Sequence, residues 1–164
     1  MGLDMYFRAK QYLSDYVDTD KEIKTQISEI VKGFNTEWSV KEITYEVGYW
    51  RKANAIHNWF VQNVQDGEDD CKEYYVTSES IIELYNTILE CLEGGIDVAV
   101  EKLPPQEGFF FGSTTIDEWY WQDLEDTKRM LEPLVNAFKE AEEMGVDAYK
   151  HPVFRFDYYY QSSW

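Results

Sequence analysis

The chain lacks the segments that would place it in or across a membrane. Its 164 residues contain no apolar run of 18 or more, which excludes a transmembrane helix. The first residues form neither a basic nor an apolar leader, so no secretion is expected. Only two cysteines are present, Cys71 and Cys91, without a CxxC pair, and we interpret them as free thiols of a cytoplasmic protein.

Several catalytic signatures are missing as well. There is no GxSxG nucleophile motif, and the phosphate-cradling motifs GxGxxG and GxxxxGK(S/T) do not occur. Histidine is scarce, with only His57 and His151. A zinc site would require His57, Cys71 and the acids of residues 66–70 to converge, and their spacing does not enforce this. We therefore predict no metal, no cofactor and no enzymatic activity.

Basic residues are also few. Lys and Arg number 15 against 32 Asp and Glu, which gives a net charge of −17. Such a field repels phosphate backbones, so no direct nucleic-acid binding is expected. Three interpretations stay open: an acidic coat that confers solubility, an acidic surface that mimics DNA on a basic host protein, and a pocket that gathers the few cations.

Hydrophobic residues make up 44% of the chain and aromatic residues 17%, which is enough for a core without disulfides. Alternating patterns predict strands at 3–13, 37–47, 73–76, 108–112 and 153–160. Helical patterns predict helices at 19–34, 49–65, about 78–93 and 116–144, a helical turn at 96–103, and a kink or split at Pro133. The prediction is one α+β domain over residues 1–164, with a mostly antiparallel or mixed sheet of about five short strands and four helices packed on it.

The predicted helix at 49–65 is the most informative segment. One of its stripes is apolar, and a second stripe at the same period is polar; the second contains Arg51, Asn54, Asn58 and Gln62, flanked by Trp50 and His57. A helix that needed only solubility would place Glu and Lys there. Guanidinium, amide, imidazole and indole groups instead recognise directional hydrogen bonds and flat rings. The pattern favours a binding surface.

Residues 108–126 supply a second candidate surface. Ser113 and Thr114 lie at the start of the last long helix, where free backbone N–H groups suit an anion or a carbonyl, and aromatic residues follow. If this turn faces the polar stripe, the two together could hold a ring-bearing, phosphate-containing ligand. The predicted ligand-binding set is Trp50, Arg51, Asn54, His57, Asn58, Ser113, Thr114, Trp119 and Tyr120. The alternative is structural: caps, core aromatics and a histidine satisfied inside the fold.

Three segments carry a resemblance: MGLDMYFRAK at the start, EVGYWRKANAIHNWFVQNVQDGEDDCKEYYV at 46–76, and GFFFGSTTIDEWYWQDLEDT at 108–127. They resemble a family of small bacteriophage and prophage proteins, over nearly the whole chain. The resemblance implies a place in the cytoplasm of an infected bacterial host and a role in counter-defence. It assigns no functional residue.

The main hypothesis is therefore a phage-encoded, non-enzymatic protein that sequesters a small nucleotide-derived immune signal in a polar and aromatic pocket. One alternative is an acidic inhibitor or DNA mimic that blocks a basic host protein. Another is a small enzyme acting on nucleotides through His57 and one carboxylate. A homo-oligomer is compatible with each, and no membrane partner is expected.

Overall fold

The computed structural model of the protein describes residues 2–31 and 37–164. In chain order its elements are β1 (Asp4–Tyr12), α1 (Asp18–Ile30), β2 (Glu42–Arg51), α2 (Asn54–Asn63), β3 (Tyr74–Val76), α3 (Ser78–Gly94), α4 (Ile96–Lys102), α5 (Glu118–Glu143), two 3-10 helices (Gly145–Lys150 and Pro152–Arg155) and β4 (Asp157–Ser163). The strands form one antiparallel sheet in the order β2-β1-β4-β3. The α+β class is confirmed, whereas the described residues hold four strands instead of about five, and five α-helices instead of four.

The strand β1 is central because its residues alternate between two faces. Met5, Phe7 and Ala9 are buried, while the residues between them are half-buried on the other face. β1 pairs with β2 on one side and with β4 on the other. The register sets Met5 opposite Trp50, and this pairing puts the Trp50 side chain on the buried face.

The buried face of the sheet forms one core with the helices. The Phe60 ring of α2 stacks on the Tyr160 ring of β4 at 3.9 Å between centroids. The helix α5 is tied to β2 by a hydrogen bond of 2.8 Å from the Trp50 indole to the Thr127 hydroxyl. A Cβ atom on Gly48 would lie 2.6 Å from the Met130 sulfur, so the small residue lets α5 approach the strand closely.

The predicted helix at 49–65 is wrong over its first residues. Tyr49 to Arg51 belong to β2, and α2 begins only at Asn54. Pairing with β1 overrides the helical period here, and Lys52 then takes a left-handed backbone conformation with φ 63°, which ends the strand. As a result Trp50 points into the core, Arg51 points outward, and neither shares a helix with Asn54.

The predicted strand at 108–112 is also wrong, because this segment is a turn. The backbone N–H of Phe111 donates to the Gly108 carbonyl at 3.1 Å, which closes the turn. Phe109 is 95% exposed and Phe111 only 6%. Gly112 follows with φ 89°, a conformation that favours glycine. The apolar run therefore contributes one buried ring instead of a strand.

Other predicted boundaries shift by a few residues. The second strand lies at Glu42–Arg51 instead of 37–47, and the last strand at Asp157–Ser163 instead of 153–160, because a 3-10 helix precedes it. The helix predicted at 19–34 is confirmed as Asp18–Ile30, and residues 32–34 of that prediction lie outside the described residues.

The long C-terminal helix is confirmed at Glu118–Glu143, although Pro133 does not split it. Among the helices of the described ranges, none is both long and apolar enough to cross a bilayer.

The turn at 108–112 makes a direct prediction about stability. Phe111→Ala should lower the free energy of unfolding by about 3–5 kcal/mol, because a buried ring is lost and leaves a cavity. Phe109→Ala, two residues away, should change it by less than about 0.5 kcal/mol, since that ring is exposed. Urea unfolding of both variants measures this. Similar losses in the two variants would mean that both rings are buried.

Candidate functional site

A cavity of about 300 Å³ lies between the end of β2, the turn before α5 and the first two turns of α5. We call it the β2–α5 cavity. It is lined by Arg51, Lys52, Asn54, Ala55, Gly112, Ser113, Thr115, Asp117, Trp119, Tyr120 and Asp123. Five residues of the predicted ligand-binding set therefore meet at one cavity: Arg51, Asn54, Ser113, Trp119 and Tyr120.

The Asn54 side chain lines this cavity and is held by three hydrogen bonds. Its side-chain amide donates to the carbonyls of Phe111 at 3.0 Å and Ser113 at 2.8 Å. Its side-chain oxygen accepts from the backbone N–H of Gln106 at 3.1 Å. The side chain is buried, and these three bonds use most of its hydrogen-bonding capacity. Asn54 thus holds the 106–113 segment in place while it lines the cavity, and its role in reading a ligand stays a prediction.

Two cations form one wall. The Arg51 side chain is largely exposed, and its nearest carboxylate oxygen, on Asp4, lies 4.0 Å away. Asp4 also accepts a hydrogen bond from Tyr49, which leaves Arg51 weakly held. Within residues 2–31 and 37–164, no carboxylate forms an ion pair with Lys52. Both cations are therefore available to an anion in the cavity.

The backbone beside this wall is strained. Lys52 and Gly112 both have positive φ, and a Cβ atom on Gly112 would lie 3.3 Å from the Lys52 Cβ. Left-handed conformations of residues other than glycine cost free energy and cluster at binding and active sites. The close approach explains why glycine stands at position 112.

Carboxylates form the opposite wall. Asp117 caps α5, because its side chain accepts from the backbone N–H groups of Trp119 at 3.0 Å and Tyr120 at 3.2 Å. Asp123 is half-buried, and no described residue donates a hydrogen bond to its carboxylate. Burial, with smaller contributions from Asp126 and Asp117, raises the pKa of Asp123 to about 6.

Two aromatic residues complete the lining. Trp119 is 71% exposed, so its indole face is accessible for stacking. Tyr120 is buried, and its hydroxyl donates to the Leu103 carbonyl at 2.9 Å. Burial also raises the pKa of Tyr120, so its hydroxyl stays protonated at neutral pH.

The four remaining predicted residues are not part of the lining of the β2–α5 cavity. Trp50 is a core residue bonded to Thr127, and Thr114 is exposed outside the lining. Asn58 lines a separate, smaller cavity of about 180 Å³ between α2 and the end of α4.

His57 is fully buried and structurally satisfied. Its Nδ1 lies 2.7 Å from the Tyr160 hydroxyl and its Nε2 3.0 Å from an Asp69 oxygen. Because Asp69 accepts from Nε2–H, Nδ1 accepts from Tyr160, and the imidazole joins α2 to β4 and the 66–70 turn. Burial lowers the pKa of His57 below 6.5 against the pull of Asp69, so acidification through 6.5 protonates the unfolded chain first and lowers stability. His57 lies outside the lining of the β2–α5 cavity, and its ligand role stays a prediction.

Metal binding finds no support in the same region. In the part of the chain that the structure describes, no group of three or more His, Cys, Asp or Glu side chains is placed to hold a metal ion.

No protein-family model, no curated protein and no solved structure matches this chain. The resemblance to phage proteins therefore stays a prediction, and the function has to be argued from the β2–α5 cavity.

Six lining residues lie outside the predicted set, and three of them are charged: Lys52, Asp117 and Asp123. A signal for Asp123 was present, because it follows Trp119 by four residues and so lies on the same face of a helix. No sequence signal pointed to Lys52, since its position depends on the backbone reversal that ends β2.

Asn54 and Arg51 should behave differently when truncated. Asn54→Ala leaves buried backbone groups without partners and should lower the free energy of unfolding by about 1–3 kcal/mol. Arg51→Ala should change it by less than about 0.5 kcal/mol, because the side chain is exposed and loosely paired. Chemical denaturation compares the two. A large loss for Arg51→Ala would show that its cation is architectural.

Asp123 should make stability depend on pH. A folded-state pKa of about 6 against 3.8 means that the native state gains stability as the pH falls through 6. Asp123→Asn should therefore be more stable than the wild type at pH 7.5, by about 1–2 kcal/mol after allowance for solvent screening. The difference should vanish towards pH 4, while the effect of His57 is common to both proteins. Urea titrations at pH 7.5, 6 and 4.5 test this, and a difference that is constant with pH would contradict it.

Proposed function

We propose that the protein is a non-enzymatic binding protein that captures a small nucleotide-like ligand in the β2–α5 cavity. One observation carries this proposal: within the described residues, a loosely paired arginine, a lysine without an ion pair, a carboxylate without a hydrogen-bond donor and an exposed indole line a single space of about 300 Å³. A nucleotide presents an anion, a flat ring and hydrogen-bond donors together, and each of these has a counterpart in the lining.

Each part of a nucleotide has a matching group. Arg51 and Lys52 suit phosphate oxygens, and Arg can bind them in a bidentate manner. Trp119 offers a surface on which a base can stack. The volume is at the lower end of the range of small-molecule sites, roughly 300–1,000 Å³, which corresponds to one nucleotide unit.

The lining favours capture over catalysis. It includes neither histidine nor cysteine, and the hydroxyl of Ser113 accepts a hydrogen bond from the backbone of Thr115 instead of facing a general base. The only histidine near this region, His57, is bound to Tyr160 and Asp69 on both ring nitrogens. The hydroxyls of Ser113 and Thr115 in the lining have no histidine beside them to act as a base, so a nucleotide held there would meet groups that orient it without a histidine-activated nucleophile.

The resemblance to phage proteins indicates why a protein would capture a nucleotide. A phage protein that binds an immune nucleotide signal stoichiometrically would act as a sponge in the cytoplasm of the infected host. Such a protein needs affinity and abundance but no turnover.

A second function, inhibition of a basic host protein, is favoured by one feature of α5. Glu118, Glu125 and Glu132 are exposed and spaced by seven residues, which sets a row of carboxylates about 10 Å apart along the helix. This row explains part of the charge but not the β2–α5 cavity, so we rank it second. Binding through such a row would weaken steeply with added salt.

The cations of the β2–α5 cavity provide the test. Arg51→Gln with Lys52→Gln should weaken nucleotide capture at least about tenfold, because charge-assisted bonds to phosphate are lost. The melting temperature should stay within about 2 °C of the wild type. A matched control, Lys139→Gln with Lys150→Gln, removes the same charge from exposed positions outside the lining and should leave capture intact.

The fate of the ligand separates the three functions. Protein incubated with nucleotides is freed of unbound ligand and heated, and the released ligand is identified by mass spectrometry. Intact nucleotide is the expected result. An altered product would replace capture with catalysis, and the absence of any bound nucleotide would overturn the proposal in favour of a protein partner.

A further inference from the structure

The β2–α5 cavity also indicates which base it holds, an inference that rests on the proposed function. We propose that the bound nucleotide is a guanine nucleotide, whose base edge donates two hydrogen bonds to the Asp123 carboxylate.

Of the two carboxylates that line the cavity, Asp123 is the one that accepts no hydrogen bond from the described residues. Asp117 accepts from two backbone N–H groups at the start of α5. Asp126, one turn further along, accepts from Gln122 at 3.0 Å and Arg129 at 2.6 Å. The Asp123 carboxylate, although half-buried, receives no donor from residues 2–31 or 37–164. Because this carboxylate is only half-buried, its oxygens stay accessible and can accept hydrogen bonds from a ligand that enters the cavity.

Guanine supplies the donors in the required arrangement. Its N1–H and its exocyclic amino group lie side by side, and an ionised carboxylate offers two acceptor oxygens at a matching separation. Adenine and cytosine each present an amino donor beside a ring-nitrogen acceptor, and uracil presents one N–H between two carbonyl oxygens. Each of these bases would set at least one acceptor against the carboxylate, which is repulsive.

The positions of the wall residues fit this orientation. Trp119 and Asp123 are four residues apart on α5, so an indole and a carboxylate share one face of the helix. A base stacked on the indole would direct its edge along the helix towards Asp123. Arg51 and Lys52 approach from the end of β2, on the opposite wall, where the phosphate of the same nucleotide would lie.

The protonation state of Asp123 provides a distinctive readout. The charged groups around it are Asp117 and Asp126 on its own helix and Arg51 and Lys52 on the β2 side, and its pKa is raised to about 6. Below that pH the protonated group donates one hydrogen bond and accepts one, which matches adenine. Guanine affinity should therefore fall as the pH drops through 6, while adenine affinity should rise.

The experiment measures the dissociation constants of GMP and AMP by calorimetry at pH 7.5 and pH 5. At pH 7.5 GMP should bind at least about tenfold more tightly than AMP, the usual scale for one bidentate pair. At pH 5 this ratio should fall to about one or reverse. Asp123→Asn should lose the GMP preference at pH 7.5 and favour AMP, because an amide both donates and accepts.

A matched control is available on the same helix. Asp126→Asn makes the same chemical change one turn away, outside the lining, and should keep the GMP preference at pH 7.5. Since Asp123→Asn is expected to be more stable than the wild type, a loss of GMP binding cannot be attributed to unfolding.

The outcomes separate the two proposals. If GMP and AMP bind equally and Asp123→Asn changes neither, the guanine assignment is wrong while nucleotide capture stands. Tighter binding of CMP or UMP than of GMP would overturn the assignment in the same way. If the folded protein binds no nucleotide at all, the proposed function fails and the assignment fails with it.

Discussion

The three hydrogen bonds of the Asn54 side chain hold the 106–113 segment against the start of α2, and the β2–α5 cavity depends on them. This segment carries Phe111 into the core beside His57, at 5.0 Å between ring centroids. It then presents Gly112 and Ser113 to the cavity. An amide that both donates and accepts is well suited to fix a loop whose own backbone forms no regular structure. Without this anchor the part of the lining formed by Gly112 and Ser113 would have no defined position.

The charges of the cavity contrast with those of the chain as a whole. A protein of net charge −17 repels anions at a distance, but screening confines that field to roughly 8–10 Å at physiological salt. At close range Arg51 and Lys52 dominate one wall because their carboxylate partners are distant or absent among the described residues. The acidic exterior is therefore compatible with the proposed binding of an anion in the β2–α5 cavity.

The sequence predicted those parts of the fold in which one hydrophobic period dominates, such as β1, α1 and α5. It failed at 49–51, where the residues fit a helical stripe but pair with β1 instead, and at 108–112, where an apolar run supplies a single buried ring. For the site, five residues of the predicted set do line the β2–α5 cavity. The prediction could not separate Asn54 from Arg51, because hydrogen bonds to backbone distant in sequence decide which side chain is held and which stays loosely paired.

The helix α5 carries the indole and carboxylate wall on its first turns and is anchored to β2 a few residues later, through Thr127 to Trp50 and through Met130 over Gly48. A wall fixed so close to the core is preorganised, and capture then requires no closing motion. The rate of uptake would be governed by diffusion and by the width of the mouth. For the proposed capture of a signal, a cavity with preorganised walls has a kinetic advantage over one that must first rearrange.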